Sequence, residues 1–272
     1  MDIVRAADRD RYLAALYAPE DRRADLLALY AFNAEISGVR DRVSQALPGE
    51  IRLQWWRDVI GAKDADAGAG HPVAEALLAA IERHSLPREA LQNYLDARIF
   101  DLYDDPMPTR GDLEGYCGET AAAILQLSSI VLDAEAASRS AELAGHAGCA
   151  QAITGLLRLL PLHRRRGQCY VPKDILAAAG TSPEEFLAGD GGANAPRAVA
   201  AMIALAQEHL TVFERGATGL PQSLRPAFLP LAPVGAQLAK MQGREKELLD
   251  ASLDISAWRK HWLMFRRATR GW

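Results

Sequence analysis

Apolar residues recur along the chain at the spacing of amphipathic helices. Between residues 20 and 43 the apolar side chains follow a period of about 3.6 residues, with charges on the other side: Leu26, Leu27, Tyr30, Ala31, Ala34 and Val39. The segment from Pro87 to Asp104 carries a similar stripe: Leu91, Leu95, Ile99 and Leu102. Ala, Leu, Arg and Glu dominate, and runs of Val, Ile and Thr are few. The pattern therefore predicts an all-α protein.

Further helices are predicted along the rest of the chain. Their expected ranges are 112–132, 136–160 and 196–215, with a helix start near Val73 after Pro72 and a last helix from about Ala236. Pro161 should stop or kink the helix before it, because proline lacks a backbone N–H. Small residues predict loops at 61–72 and 189–198. With no internal repeat, we expect a single domain over residues 1–272.

Composition narrows the class of protein. Hydrophobic residues make up 49% of the 272 residues and charged residues 24%, as in globular proteins with a sizeable core. The formal net charge of −4 argues against a nucleic-acid partner. Cys117, Cys149 and Cys169 form no CxxC pair, which favours a reducing compartment. The N-terminus lacks the features of a signal peptide, and no apolar run is long enough to span a membrane. We therefore expect a cytoplasmic protein.

The order of four motifs resembles the squalene/phytoene synthase family over most of the chain. The motifs are "DRYLAALYAPEDRRADLLALYAFN" from residue 10, "YLDARIFDLYDD" from 94, "LEGYCGETAA" from 113 and "LLRLLPLHRRRGQCYVP" from 156. The resemblance implies an isoprenoid-synthase-like bundle of helices around a central cavity, in which two prenyl diphosphates are joined head to head.

The family's chemistry, as the resemblance implies it, needs two aspartate-rich helical motifs. Aspartates four residues apart share one face of a helix, so both can reach a Mg²⁺ ion that also binds the diphosphate. In the first motif this chain reads "YAFNAEISGVRD" from Tyr30. Ser37 and Gly38 occupy the two leading acidic positions, and only Asp41 remains acidic.

The second motif has lost its acids as well. By the resemblance, the two aspartates correspond to Leu159 and His163, and an intervening acid corresponds to Leu162. The surrounding residues that help to hold a diphosphate are retained: Arg158, Arg165, Arg166 and Tyr170. The resemblance further predicts a cavity wall formed by Tyr30, Ser37, Leu159 and His163.

Relocated acids could restore a metal site. Glu35 is one candidate, although it lies off the register of Asp41 and a solvated surface acid is the simpler interpretation. Asp101, Asp104 and Asp105 form a second candidate at the end of a helix, where a nearby cation is expected to offset them. Arg98 and Arg110 are the candidates for that cation. Asp101 also matches the family's frame, which points to a retained polar contact, and Asp104 and Asp105 could simply initiate a turn.

The C-terminal segment, residues 257–272, mixes aromatic and basic side chains. Its apolar members are Trp258, Trp262, Leu263, Phe265 and Trp272, interleaved with Arg259, Lys260, Arg266, Arg267 and Arg270. Such mixing is typical of interfacial membrane helices, and a docked helix with a basic outer face is the alternative. We favour peripheral membrane contact, although the apolar positions do not fall clearly on one face.

Two functions remain open from the sequence. The missing acids favour a non-catalytic protein similar to the branch of the family that includes a mitochondrial complex I assembly factor. Such a protein would bind an isoprenoid or anionic lipid and a respiratory-complex partner, at the inner face of the membrane and with no cofactor or metal. The alternative is a Mg²⁺-dependent prenyltransferase in which Asp41 and Asp101 are catalytic.

Overall fold

The computed structural model describes residues 2–62, 65–189 and 191–272. Helices account for the regular structure of these ranges, which contain no β-strand. The α-helices in chain order are α1 (Asp2–Ala7), α2 (Arg9–Leu16), α3 (Glu20–Ser37), α4 (Ala46–Gly61), α5 (Pro72–His84), α6 (Arg88–Ile99), α7 (Arg110–Cys117), α8 (Ala123–Leu132), α9 (Ala134–Ser138), α10 (Ala141–Arg158), α11 (Leu160–Arg165), α12 (Lys173–Ala179), α13 (Pro183–Ala188), α14 (Asn194–Gly216), α15 (Arg225–Phe228), α16 (Val234–Met241), α17 (Glu245–Leu248) and α18 (Ala257–Arg270). The all-α prediction is confirmed.

Two hydrophobic cores lie side by side in the bundle. The first is formed mainly by α3, α4, α5, α6 and α8, and Phe32 lies in it against Trp56, with ring centroids 5.0 Å apart. The second surrounds the long contact between α10 and α14. Leu132 packs against both cores, so one continuous apolar interior joins the two halves of the chain.

Local sequence signals explain several helix boundaries. Pro72 occupies the first turn of α5, where its missing N–H costs no helical hydrogen bond. Thr109 and Asp112 form a reciprocal capping box at the start of α7. Gly180 ends α12 in the left-handed conformation, with φ +85°.

The predicted helix 112–132 contains a π-helical turn, Gly118–Ala122, between α7 and α8. Gly148 of α10 packs directly on this turn, since a Cβ built on it would lie 2.4 Å from the backbone nitrogen of Ala122. Such a distance is far inside van der Waals contact. Glycine is therefore required for this close approach of backbone to backbone.

Two sequence predictions of helix extent were wrong. The predicted helix 136–160 is divided into α9 and α10, and α10 ends at Arg158, so that Pro161 lies in the first turn of the next helix, α11. The helix predicted from Ala236 begins at Val234 and ends at Met241, and it is followed by α17 and α18. Gly243, with φ +78°, lies in the turn between α16 and α17.

The predicted loop 61–72 lies between α4 and α5, whereas α14 begins at Asn194, so residues 194–198 of the second predicted loop are helical. The 61–72 loop contains a 3₁₀ turn at Ala65–Gly68, and its residues 63 and 64 lie outside the described ranges. Residue 190 of the second loop does too. Within the described part of the chain, no helix combines the length and the apolar character needed to cross a membrane.

Candidate functional site

The last acid of the first motif contacts the basic run of the second. Asp41 lies in a 3₁₀ turn, Arg40–Arg42, that follows α3, and Arg166 caps the C-terminus of α11. The Arg166 guanidinium donates a hydrogen bond to Asp41 Oδ1 at 2.5 Å. An arginine of the second motif thus engages the one acid that the first motif retains.

Beside this pair, His163 is buried while Leu159 is not. The His163 ring lies against Tyr170, with centroids 4.7 Å apart, whereas Leu159, the residue between α10 and α11, is 47% exposed. Burial, reinforced by the charge of Arg166, lowers the pKa of His163 to about 4, against the opposing effect of Asp101. The imidazole is therefore neutral at physiological pH.

The polar centre of the site is the carboxylate of Asp101. Its Oδ1 accepts hydrogen bonds from the phenol hydroxyls of Tyr170, at 2.7 Å, and Tyr116, at 2.8 Å. Its Oδ2 accepts one from Arg98 at 3.0 Å, and Arg98 also donates to the Tyr116 hydroxyl at 2.9 Å. The side chain of Gln168 donates to the backbone carbonyl of Asp101 at 3.0 Å. Four side chains from three segments, α6, α7 and the segment after α11, thus hold this one residue.

The two tyrosines of this network act as fixed hydrogen-bond donors. Burial first, and then the negative charge of Asp101 and its hydrogen bond, raise the pKa of Tyr170 far above its usual value. Burial is also the main cause that raises the pKa of Tyr116, partly opposed by Arg98. Both hydroxyls stay protonated across the physiological range, so both can donate to Asp101.

These residues do not fit a catalytic magnesium site. Asp41 is bound by Arg166, Asp101 by Arg98 and two phenols, and Asp104 by Arg40 at 3.2 Å. Over the ranges that the structure describes, no group of three or more His, Cys, Asp or Glu side chains could hold a metal ion. Mg²⁺ prefers several hard oxygen ligands, which this arrangement does not offer.

The remaining predicted site residues are dispersed. Arg158 pairs with Asp254 at 3.0 Å, and Arg165, which is exposed, donates from Nε to the Pro161 carbonyl. Tyr30 is fully buried, with the Arg11 guanidinium 5.9 Å from the centroid of its ring, while Ser37 is exposed at the end of α3. The structure therefore brings His163 and Tyr170 together with Asp101 and joins Arg166 to Asp41. The cavity-wall and diphosphate roles stay predictions.

The structure settles which cations offset the acidic cluster. Arg98 pairs with Asp101, as one of the two alternatives had it, while Arg110 pairs with Glu114 and Glu208 instead. The partner of Asp104 is Arg40, which no pattern in the sequence indicated. Tyr116 and Gln168 were also missed, although both lie within the motifs that carried the family resemblance.

Glu35 is not the solvated surface acid that the sequence suggested. It is buried, 8% exposed, because α3 presents it to α5, and its Oε2 lies 3.5 Å from His71 Nε2. Its contact is therefore with the α5 side of the bundle.

His146 on α10 contacts a second histidine on α14. Its Nδ1 lies 3.0 Å from Nδ1 of His209 on α14, and His209 Nε2 lies 3.1 Å from Glu114 Oε1. One of the two facing imidazole nitrogens must carry a proton for this contact to be a hydrogen bond. The pair links α10 to α14 and α7.

The fold is that of the isoprenoid synthases. A solved squalene synthase HpnC from Alicyclobacillus acidocaldarius aligns with a TM-score of 0.72 over 90% of this chain and 92% of that one, at 21% identity. A dehydrosqualene synthase solved in complex with ligand aligns with a TM-score of 0.74 over 98% of this chain and 93% of its own, at 19% identity. At such identities the likeness concerns the fold.

Sequence comparison then gives the family. The squalene/phytoene synthase family model matches residues 4–266, so the chain belongs to that family. NADH dehydrogenase (ubiquinone) complex I, assembly factor 6 of Bos taurus is 30% identical over 273 residues, 96% of this chain and 82% of the relative. The phytoene synthase of Rhodobacter capsulatus is 25% identical over 256 residues, 88% of this chain and 72% of the relative.

Proposed function

We propose that this chain is a non-catalytic member of the family that binds an isoprenoid or anionic lipid and assists the assembly of a respiratory complex. The observation that carries the proposal is the ion pair between Asp41 and Arg166. A cationic guanidinium on the one remaining motif acid repels a divalent cation and occupies an oxygen that the cation would need. The family's diphosphate ionisation would then lack its metal support.

The ligand we propose is a prenyl or acyl chain with a single anionic headgroup. Leu159 and Leu162 make the second motif apolar where acids would otherwise stand, and Arg165, which has no carboxylate partner among the described residues, supplies positive charge for one headgroup. One phosphate suits this charge better than two diphosphates with their metal ions.

The partner we propose is a component of a respiratory complex, reached beside the inner face of a membrane. This proposal extends to the chain what the names of its assembly-factor relatives state of those proteins. Peripheral contact with the membrane would bring the protein to a membrane-embedded partner. The acidic net charge of −4 argues against nucleic acid as an alternative partner.

Incubation with labelled prenyl diphosphates tests the absence of catalysis. Purified protein is incubated with Mg²⁺ and radiolabelled farnesyl or geranylgeranyl diphosphate, with the Rhodobacter capsulatus phytoene synthase as a positive control. We expect neither pyrophosphate nor a hydrocarbon product beyond the protein-free background. Turnover that disappears in Asp41→Asn or Asp101→Asn would overturn the proposal and establish the prenyltransferase alternative.

Ligand and partner are tested separately. Lipid extraction of the purified protein followed by mass spectrometry should yield a prenyl or anionic lipid in stoichiometric amount, and a consistently empty protein would contradict lipid binding. Cells that naturally make the chain should lose assembled NADH dehydrogenase on native gels when it is deleted. Unchanged complex levels would contradict the assembly role.

A further inference from the structure

The last helix, α18, is attached to the body along one side only. Met264 is 1% exposed and packs with Ala14 of α2 and with Leu229. Lys260, one turn earlier, forms an ion pair with Asp254 at 2.6 Å. These contacts fix which side of α18 faces the protein.

The opposite side presents three large aromatic residues to solvent. Trp258, Trp262 and Phe265 are 80%, 59% and 48% exposed. They stand at positions i, i+4 and i+7, which share one face of a helix, and the rings of Trp262 and Phe265 stack at 6.0 Å. Of the five apolar positions named from the sequence, these three share one face, whereas Leu263 and Trp272 are partly buried and Trp272 packs against the second core. Monomeric proteins seldom expose aromatic side chains in such a row.

Unpaired positive charge surrounds these rings. Helix α18 contains no acidic residue, and its exposed arginines are Arg259, Arg266 and Arg270. Among the described residues none of the three has a carboxylate within ion-pair distance, whereas Lys260 and Arg267 of the same helix pair with Asp254 and Glu214. A basic helix face on a chain of net charge −4 calls for an anionic partner.

A shallow, open groove of about 330 Å³ lies at the start of this face. Its lining consists of Ser256, Trp258, Arg259 and Trp262. Apolar rings and a guanidinium thus meet in one concave place, which suits a phosphate oxygen joined to an apolar stem.

We propose that this aromatic–arginine face of α18, formed by Trp258, Trp262, Phe265, Arg259, Arg266 and Arg270, docks on the interface of a bilayer that contains anionic phospholipid. Indole and phenyl rings favour the headgroup depth of a bilayer, and guanidinium groups bind phosphate with paired hydrogen bonds. The inference rests on the peripheral membrane contact of the proposed function and assigns it to a surface, an orientation and a lipid class. The helix lies flat on the membrane, with the bundle on its cytoplasmic side.

Vesicle co-sedimentation of the full chain tests the proposal. The probes are vesicles of phosphatidylcholine alone and vesicles of phosphatidylcholine and phosphatidylglycerol in equal parts. We expect binding to the anionic vesicles, a blue shift of tryptophan emission on binding, and release as salt is raised. Equal binding to both kinds of vesicle, or binding to neither, would overturn the proposal.

Variants assign the binding to the face. Reversing its three arginines to glutamate removes about a fivefold contribution each, so affinity for anionic vesicles should fall at least about a hundredfold. Replacing its three aromatic residues by alanine should abolish the blue shift and weaken binding. Wild-type affinity in either variant would contradict the assignment.

The helix α4 offers a matched control. Leu47 and Ile51 are 64% and 62% exposed, and Arg52, which follows Ile51, is exposed as well. The variant Leu47→Ala, Ile51→Ala, Arg52→Glu makes the same kinds of change on another surface, so it should bind vesicles like the wild type. Loss of binding in this control as well would mean that vesicle binding depends on the overall charge and hydrophobicity of the protein and not on the α18 face. That result would contradict the proposal.

The same variants separate a membrane from a protein occupant. The wild type could instead be dimeric in solution, fail to bind vesicles, and become monomeric when the face is altered. The face would then bind a second copy of the chain, and the proposal would be wrong. The prenyl diphosphate assay and the lipid extraction need no vesicles. A failure of membrane docking is therefore distinguishable from a failure of the proposed non-catalytic, lipid-binding function.

Discussion

The hydroxyl of Tyr170 lies 2.7 Å from Oδ1 of Asp101, a residue 69 positions earlier in the chain. This hydrogen bond links the segment after α11 to the 3₁₀ turn that follows α6. Asp101 also accepts hydrogen bonds from Tyr116 and Arg98. Three donors thus hold this one carboxyl group in place.

Removing either phenol donor should destabilise the fold. In Tyr170→Phe or Tyr116→Phe one of the two donors to Asp101 Oδ1 disappears. Because the carboxylate is largely buried, we expect a loss of about 1–3 kcal/mol in the free energy of unfolding, measured by urea denaturation. Tyr17→Phe, on an exposed tyrosine, is the matched control and should change it by less than about 0.5 kcal/mol. Equal effects at all three positions would contradict the network.

The pair between Asp41 and Arg166 should contribute little to stability. Its side chains are 58% and 35% exposed, so water and salt screen their attraction. A double-mutant cycle with Asp41→Asn and Arg166→Gln should give a coupling of about 0.2–1 kcal/mol that shrinks as ionic strength rises. The more exposed pair of Glu135 and Arg139 is the reference, with a smaller coupling expected. A coupling of several kcal/mol, unchanged by salt, would contradict the screening of this pair by water.

His163 should make the protein sensitive to acid. Its pKa is about 4 in the folded protein and about 6.5 when unfolded, so between these values the unfolded chain binds the proton that the folded chain refuses. The free energy of unfolding should therefore fall as pH is lowered from 6.5 to 4. Below pH 4 this residue should cause no further decrease. The full effect is at most about 3 kcal/mol.

Urea denaturation across pH 4 to 7 checks this expectation. In His163→Gln the decline in this window should be smaller than in the wild type. His261→Gln on α18 controls for the loss of a histidine as such and should retain the wild-type slope. Identical slopes for wild type and His163→Gln would show that other groups cause the acid sensitivity.

Gly148 should tolerate no side chain. A Cβ at this position meets the backbone of Ala122 in the π-helical turn, so Gly148→Ala must push α10 away from that turn. We expect a loss of about 1–3 kcal/mol, measured by urea or thermal unfolding. On the same helix, a Cβ at Gly145 meets nothing within 4 Å, so Gly145→Ala should be neutral or stabilise the helix by up to about 1 kcal/mol. A harmless Gly148→Ala would refute the close contact.

The sequence by itself determined the all-α fold, the family frame and the loss of the motif acids at positions 37, 38, 159 and 163. These features depend only on residues that are close together in the sequence. A period of about 3.6 residues places apolar side chains on one side of each helix whatever the neighbours are, and a leucine cannot bind Mg²⁺ in any fold. The helix boundaries were predicted less accurately, since α10 ends at Arg158, before Pro161 is reached.

Only the tertiary structure decided which partners the polar groups found. Arg166 reaches Asp41 across 125 residues, and His146 meets His209 across 63, distances in sequence over which no local pattern carries information. The same holds for α18. Its spacing in the sequence allowed several faces, and the burial of Met264 against α2 selected the one that leaves Trp258 and Trp262 exposed. Packing chooses the face because burying one apolar side of a helix necessarily turns the other to solvent.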